Sequence, residues 1–98
     1  MIMATNRFNT TVSANTAVQT GNSFSLSAGE VVTIKATYTP FNASVDFGLI
    51  APNGLFYGLS GSNGSFNEGI QVGENGVYML AIINRSSVTI DVSGYVNY

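Results

Sequence analysis

The stretch Ser23-Phe24-Ser25-Leu26-Ser27-Ala28-Gly29-Glu30-Val31-Val32-Thr33-Ile34-Lys35-Ala36-Thr37-Tyr38 decides the fold class. Successive side chains on a strand point to opposite faces, so a half-buried strand alternates apolar and polar residues with a period of two. Phe24, Leu26 and Ala28 alternate with Ser23, Ser25 and Ser27, and Ala28-Gly29-Glu30 reads as a turn. Val32, Ile34, Ala36 and Tyr38 then alternate with Thr33, Lys35 and Thr37. The β-branched content of this second run fits a pleated surface rather than a helix. Pro40 ends it, because proline cannot donate to a ladder.

The same pattern continues downstream. Val45, Phe47 and Leu49 share one face of the next strand, with Asp46 and Gly48 on the other. Pro52-Asn53-Gly54 is a strong turn signal, and Leu55, Phe56 and Tyr57 begin a returning strand, so residues 44–60 read as a hairpin. Gly61-Ser62-Asn63-Gly64 forms a second loop, Phe66, Ile70 and Val72 mark another strand, and Gly73-Glu74-Asn75-Gly76 forms a third turn. Val77 to Ile83 is apolar on both faces and must be covered on both, as a central strand or at a subunit contact. After Asn84-Arg85-Ser86, the residues Val88, Ile90, Val92 and Val96 alternate with Thr89, Asp91, Ser93 and Tyr95. Upstream of Ser23 the chain is polar and weakly patterned. Phe8 and Val12 are candidate anchors of a first strand, and Ala14, Thr16 and Val18 could continue one. Residues 1–22 are therefore read as an N-terminal arm or first strand, and residues 23–98 as the sandwich domain. The expected fold is all-β: an antiparallel β-sandwich or jelly roll of about seven or eight strands.

Composition excludes several classes of function. The chain has 98 residues, which fits one domain. Its 45% hydrophobic content is enough for a modest core, and its 8% of charged residues is far below the roughly 25% of an ordinary soluble domain. A disordered tail would show the opposite balance. The three cations, Arg7, Lys35 and Arg85, form no run and the net charge is -2, so no basic patch is legible for nucleic acid or an anionic membrane surface. No stretch approaches the roughly 20 apolar residues of a membrane span. Met1-Ile2-Met3-Ala4 is too short for a signal-peptide core, so no signal sequence is expected in this chain.

The chain contains no histidine and no cysteine, which removes Ser-His and Cys-His nucleophiles and disulfides. A zinc site would need its ligands from carboxylates alone. Ser-Lys chemistry would rest on Lys35, which reads as a solvated strand lysine. The five acids are Glu30, Asp46, Glu68, Glu74 and Asp91. Asp46 and Asp91 sit mid-strand, where aspartate is disfavoured; they are the candidates for a carboxylate pair, against the alternative of facing water or pairing with a cation. No acidic loop supplies a calcium site around Asp46, and Gly58, Gly61 and Gly64 lack the Lys-Ser pair and helix of a phosphate loop. No catalytic residue, cofactor or metal site is therefore expected. Phe41, Phe56 and Tyr57 flank predicted turns and form the candidate binding platform for a protein or sugar, with packing as the competing role. The four Asn-x-Ser/Thr patterns, at Asn9, Asn42, Asn63 and Asn84, are what chance gives in a chain rich in these residues.

Residues 23–97 resemble the small β-sandwich domains related to bacterial pre-peptidase C-terminal domains. The matching elements are Phe24-Ser-Leu-Ser-Ala-Gly-Glu, Val31-Val-Thr-Ile, Ser44-Val-Asp-Phe-Gly-Leu-Ile-Ala-Pro-Asn-Gly, Gly76-Val-Tyr-Met-Leu-Ala-Ile-Ile-Asn and Val92-Ser-Gly-Tyr-Val. The likeness is greatest to versions in secreted or membrane-anchored proteins of Clostridia-like Gram-positive bacteria. It implies a non-catalytic module at the bacterial cell surface or outside the cell, making protein or glycan contacts. Related collagen-binding members carry calcium-binding acids near their N-terminal linker, whereas residues 1–22 here contain no Asp or Glu, so calcium is not carried over. The alternative is a self-assembling subunit of a surface appendage or ring, a homo-oligomer in which the N-terminal arm adds a strand to a neighbour's sheet.

Overall fold

A computed structural model describes residues 4–98. Of Met1-Ile2-Met3-Ala4, the first three residues lie outside it. Eight strands follow one another: β1 (Thr5–Val12), β2 (Thr16–Leu26), β3 (Val31–Thr39), β4 (Val45–Ile50), β5 (Phe56–Ser60), β6 (Ser65–Gln71), β7 (Gly76–Asn84) and β8 (Ile90–Asn97). They build two four-stranded antiparallel sheets, in the orders β1-β8-β3-β6 and β2-β7-β4-β5. The first strand pairs with the eighth, the second with the seventh, the third with the sixth and the fourth with the fifth. That nesting is a long hairpin of strand pairs folded over into two sheets, which is the jelly-roll arrangement.

The core is the set of inward residues that the alternation marked. Phe24, Val32, Ile34, Val45, Phe47, Leu49, Leu80, Ile82, Ile90, Val92 and Val96 are all at most 1% exposed. Phe47 stands between Tyr38 and Phe66, with ring centroids 5.9 and 4.8 Å away. The turns follow their residues. Glu30 accepts a bond from the Ser27 amide at 2.6 Å, and Gly29 takes φ +91°. At the hairpin tip the Leu55 amide donates to the Asn53 side chain while Gly54 takes φ +86°, as the Pro-Asn-Gly sequence requires.

Two expectations are corrected, and the alternative left open for the 77–83 run is resolved. No boundary follows Asn22: β2 runs through it to Leu26, and β1 pairs along its whole length with β8. Within the described residues, then, the N-terminal segment is not an arm. It supplies one edge strand to each sheet, and Val12, fully buried, belongs to the core. Ser13, Ala14 and Asn15 turn the chain between the two strands, with Asn15 at φ 53°. The apolar 77–83 run is a central strand of its sheet, one of its two expected places, flanked by β2 and β4, but its outward face is not covered, and Val77 there is 53% exposed. Val88 is 45% exposed and precedes β8 rather than belonging to it.

Candidate binding surfaces

The acids do not converge. Asp46 lies on the outward face of β4, where it accepts from Ser60 at 2.8 Å and from Arg85 at 2.6 Å. Asp91 lies on the outward face of β8, in the other sheet, and accepts from Thr11 at 2.9 Å. The two mid-strand aspartates thus stand on opposite outer faces with the core between them, and cannot act as a pair across one glycosidic bond. Among the described residues no three carboxylates cluster where they could hold a metal ion.

The three aromatics named from the sequence do not form one platform. Phe41 is 66% exposed, in the loop after β3, against Gly64. Phe56 is half-buried on the outward face of β5, with its ring over Gly58. Tyr57, the next residue, points to the inward side and is nevertheless 49% exposed. The reason lies in the position of β5. It is an edge strand, and the sandwich gapes where it faces the edge of β6. Leu59, also on the inward register opposite Phe47, is likewise 46% exposed. A crevice of about 360 Å³ opens there, lined by Leu49, Tyr57, Ile70 and Val72 together with the polar Gln71 and Glu74. It continues along the seam past Leu59 and Gly69.

The four sheet edges are guarded unequally. An unpaired edge invites another strand, and folded proteins block it with charges, proline or bulges. β1 carries Arg7, and β2 is broken by a bulge between Gln19 and Ser23. β6 carries Glu68 on its inward register, opposite Ile34. The segment Phe56-Tyr57-Gly58-Leu59-Ser60 has no charge, no proline and no register shift against β4. Sequence reading marked Phe56 and Tyr57 but could not know that their strand is the bare edge.

A second surface was missed altogether. On the outward face of β1-β8-β3-β6 the register places Arg7 beside Tyr95, Tyr95 beside Lys35, and Lys35 beside Asn67. The Arg7 guanidinium carbon stands 5.7 Å from the Tyr95 ring centroid, within cation–π range. Asn9, Ser93 and Thr37 form a lower row two residues along each strand. Between the rows runs a shallow open trough of about 690 Å³. Its members come from β1, β3, β6 and β8, so only the strand register brings them together.

No family model matches the chain, and no curated protein sequence does either. Solved structures do match in shape. One is the periplasmic lysozyme inhibitor PliG of Aeromonas hydrophila, an inhibitor of g-type lysozyme, with a TM-score of 0.60 and 11% identity over 94% of this chain and 83% of that one. Another is the infectious bursal disease virus VP2 subviral particle, with a TM-score of 0.59 and 14% identity over 98% of this chain. This chain spans 32% of the VP2 chain. At these identities the likeness shows the fold alone.

Proposed function

We propose that the chain is a non-catalytic accessory module of the bacterial cell exterior, which holds a protein partner by accepting one of its strands on the free edge of β5. The carrying observation is that β5 is the one edge strand without a guard, and that beside it Tyr57 stands half exposed over a crevice walled in part by Leu49, Ile70 and Val72, with Leu59 half exposed further along the seam. Main-chain bonds to the edge would give affinity, and alternate side chains entering the crevice would give selectivity. The PliG fold, in a protein described as a lysozyme inhibitor, supports protein contact on this architecture, and its periplasmic location supports placement outside the cytoplasm. The accessory role implied by the pre-peptidase resemblance agrees with this reading, as do the absence of histidine and cysteine and the separated aspartates.

A displayed library of random decapeptides, selected on the whole chain and counter-selected on Leu59→Lys, tests it. Expected winners alternate apolar residues and slow amide exchange at residues 56–60. Winners that bind the Leu59→Lys variant equally well would overturn it, as would turnover of any substrate by the purified chain.

A second reading, self-assembly, is favoured by one further observation. The outward face of β2-β7-β4-β5 carries Ile50, Phe56, Val77, Met79 and Ile83, and Val77 is 53% exposed. The VP2 subviral particle supports assembly on this fold. With residues 5–22 already paired inside the sandwich, such an assembly would use this face or the β5 edge, not an arm. Light scattering across a wide concentration range, with negative-stain images, separates the readings. A monomer at every concentration removes self-assembly, and defined oligomers or fibres establish it.

A further inference from the structure

We infer that the trough on the outward face of β1-β8-β3-β6 is a binding site for an acidic saccharide, one bearing carboxylate or sulfate groups. The inference goes beyond the strand-accepting edge of β5 and does not rest on it.

Charge selects the sign of the ligand. Two of the chain's three cations, Arg7 and Lys35, stand in this one wall. They lie on either side of β8, roughly 10 Å apart in Cα position, as two strand spacings require. The single ion pair among the described residues is Arg85 with Asp46, so neither Arg7 nor Lys35 is neutralised by a carboxylate. No acid lines the trough. Asp91 shares the face but stands beyond the Ser93 row, where it accepts from Thr11. In a chain of net charge -2, this is a local positive site on an acidic molecule.

Shape and chemistry select the class of ligand. Tyr95 stands within cation–π range of the Arg7 guanidinium, and this contact restrains the side chain and so reduces the freedom lost when an anion is bound. A guanidinium offers a planar fork for a carboxylate or sulfate, and an ammonium a point charge for a second one. The rest of the lining is Phe8, Ala36, Phe66 and Gly94 between the rows, with the amides and hydroxyls of Asn67 on one side and Asn9, Ser93 and Thr37 on the other, which both donate and accept and so suit sugar hydroxyls. An acidic peptide is less well served. Its strongest general handle is main-chain pairing, and across the trough the two interior strands, β8 and β3, are each paired on both sides.

The test is an amide NMR titration of the whole chain with four probes: a sulfated hexasaccharide, a hexamer of a uronic acid, a neutral hexasaccharide and hexaglutamate. The expected shifts centre on Arg7, Lys35, Asn67 and Tyr95 for one or both acidic sugars, with at least ten-fold weaker binding of the neutral sugar and of the peptide. Removal of both charges, Arg7→Gln with Lys35→Gln, should weaken binding at least ten-fold. Arg85→Gln, which removes the same charge elsewhere, should leave it unchanged, and so should Leu59→Lys at the β5 edge. A native-like spectrum of each variant confirms its fold. The inference is overturned if neither acidic sugar binds, if shifts map elsewhere, if Arg85→Gln weakens binding as much as the double variant does, or if hexaglutamate binds as tightly. Loss of peptide selection at β5 with the sugar titration intact would overturn the strand-accepting reading alone.

Discussion

Asn84 shows how much one side chain can organise. It is 1% exposed, and its amide nitrogen donates to the carbonyls of Val12, Ser13 and Val88 at 3.2, 3.1 and 2.8 Å. Its oxygen accepts from the Ser86 amide at 3.0 Å. One residue thereby ties the β1–β2 turn to the β7–β8 connection. Asn84→Ala would leave the buried Val12 carbonyl and the part-buried Ser13 and Val88 carbonyls and Ser86 amide without this partner, the buried one at a cost of about 1–3 kcal/mol and the others at less. Urea denaturation should therefore show a loss of about 2–4 kcal/mol, at the upper end of what single substitutions do. Tyr38 is the control. Its ring is core and its hydroxyl has no hydrogen-bond partner among the described residues. Tyr38→Phe removes a group that offsets none of its desolvation, so the same titration should show no loss of stability. The sequence made Tyr38 legible as a core residue through its place in the alternation. It marked Asn84 only as part of a turn and as a chance glycosylation pattern, because its role depends on carbonyls far away in the chain.

At the scale of the element, alternation made β3, β4 and β8 readable, since each buries one face over apolar residues, whereas β5 was marked by the Pro52-Asn53-Gly54 turn before it, β6 by Phe66 and Ile70, and β7 by its continuous apolar run. β1 and the first half of β2 were obscure. Their inward positions include half-buried Asn6, Thr10 and Thr20, which do not stand out against outward Thr and Asn. The β5 edge and the Arg7–Tyr95–Lys35 row were not legible for a different reason: strand order and register are long-range properties that local pattern does not encode. The β4·β5 pair has its own constraint. A Cβ at Gly48 would stand 2.2 Å from the Tyr57 carbonyl oxygen and 2.5 Å from the Gly58 Cα. These are backbone atoms, so β5 itself would have to shift. Gly48→Ala should cost about 1–3 kcal/mol, as overpacking does. Amide exchange at residues 56–60 should quicken more than at β3 or β8, and quickening spread evenly over both sheets would contradict the close approach.

For the whole molecule, the decisive feature is that the ends of the chain close the sandwich. β1 meets β8, β2 meets β7, and the Ala4 amide donates to the Tyr98 carbonyl at 2.8 Å. Nearly every strand pair joins distant segments, so loop-closure entropy must be overcome before contacts reward it, and folding should fall in the millisecond-to-second range. The same closure gives a sharp test of where the domain begins. Removal of residues 1–22 takes away β1 and most of β2, and with them the edge partner of β8 and much of the edge partner of β7. Buried Phe8 and Val12 leave the core, and Ile90 and Val92 lose their cover. Each large apolar side chain so affected forfeits about 1.5–3 kcal/mol, against a total stability of about 5–15 kcal/mol for a domain of ordinary size. The truncated chain should show no cooperative thermal transition and no near-ultraviolet circular dichroism. Had residues 1–22 been an arm, the truncated chain would melt as the full chain does. A native-like melt after truncation would therefore place the sandwich boundary at Ser23 and return the N-terminal segment to the surface.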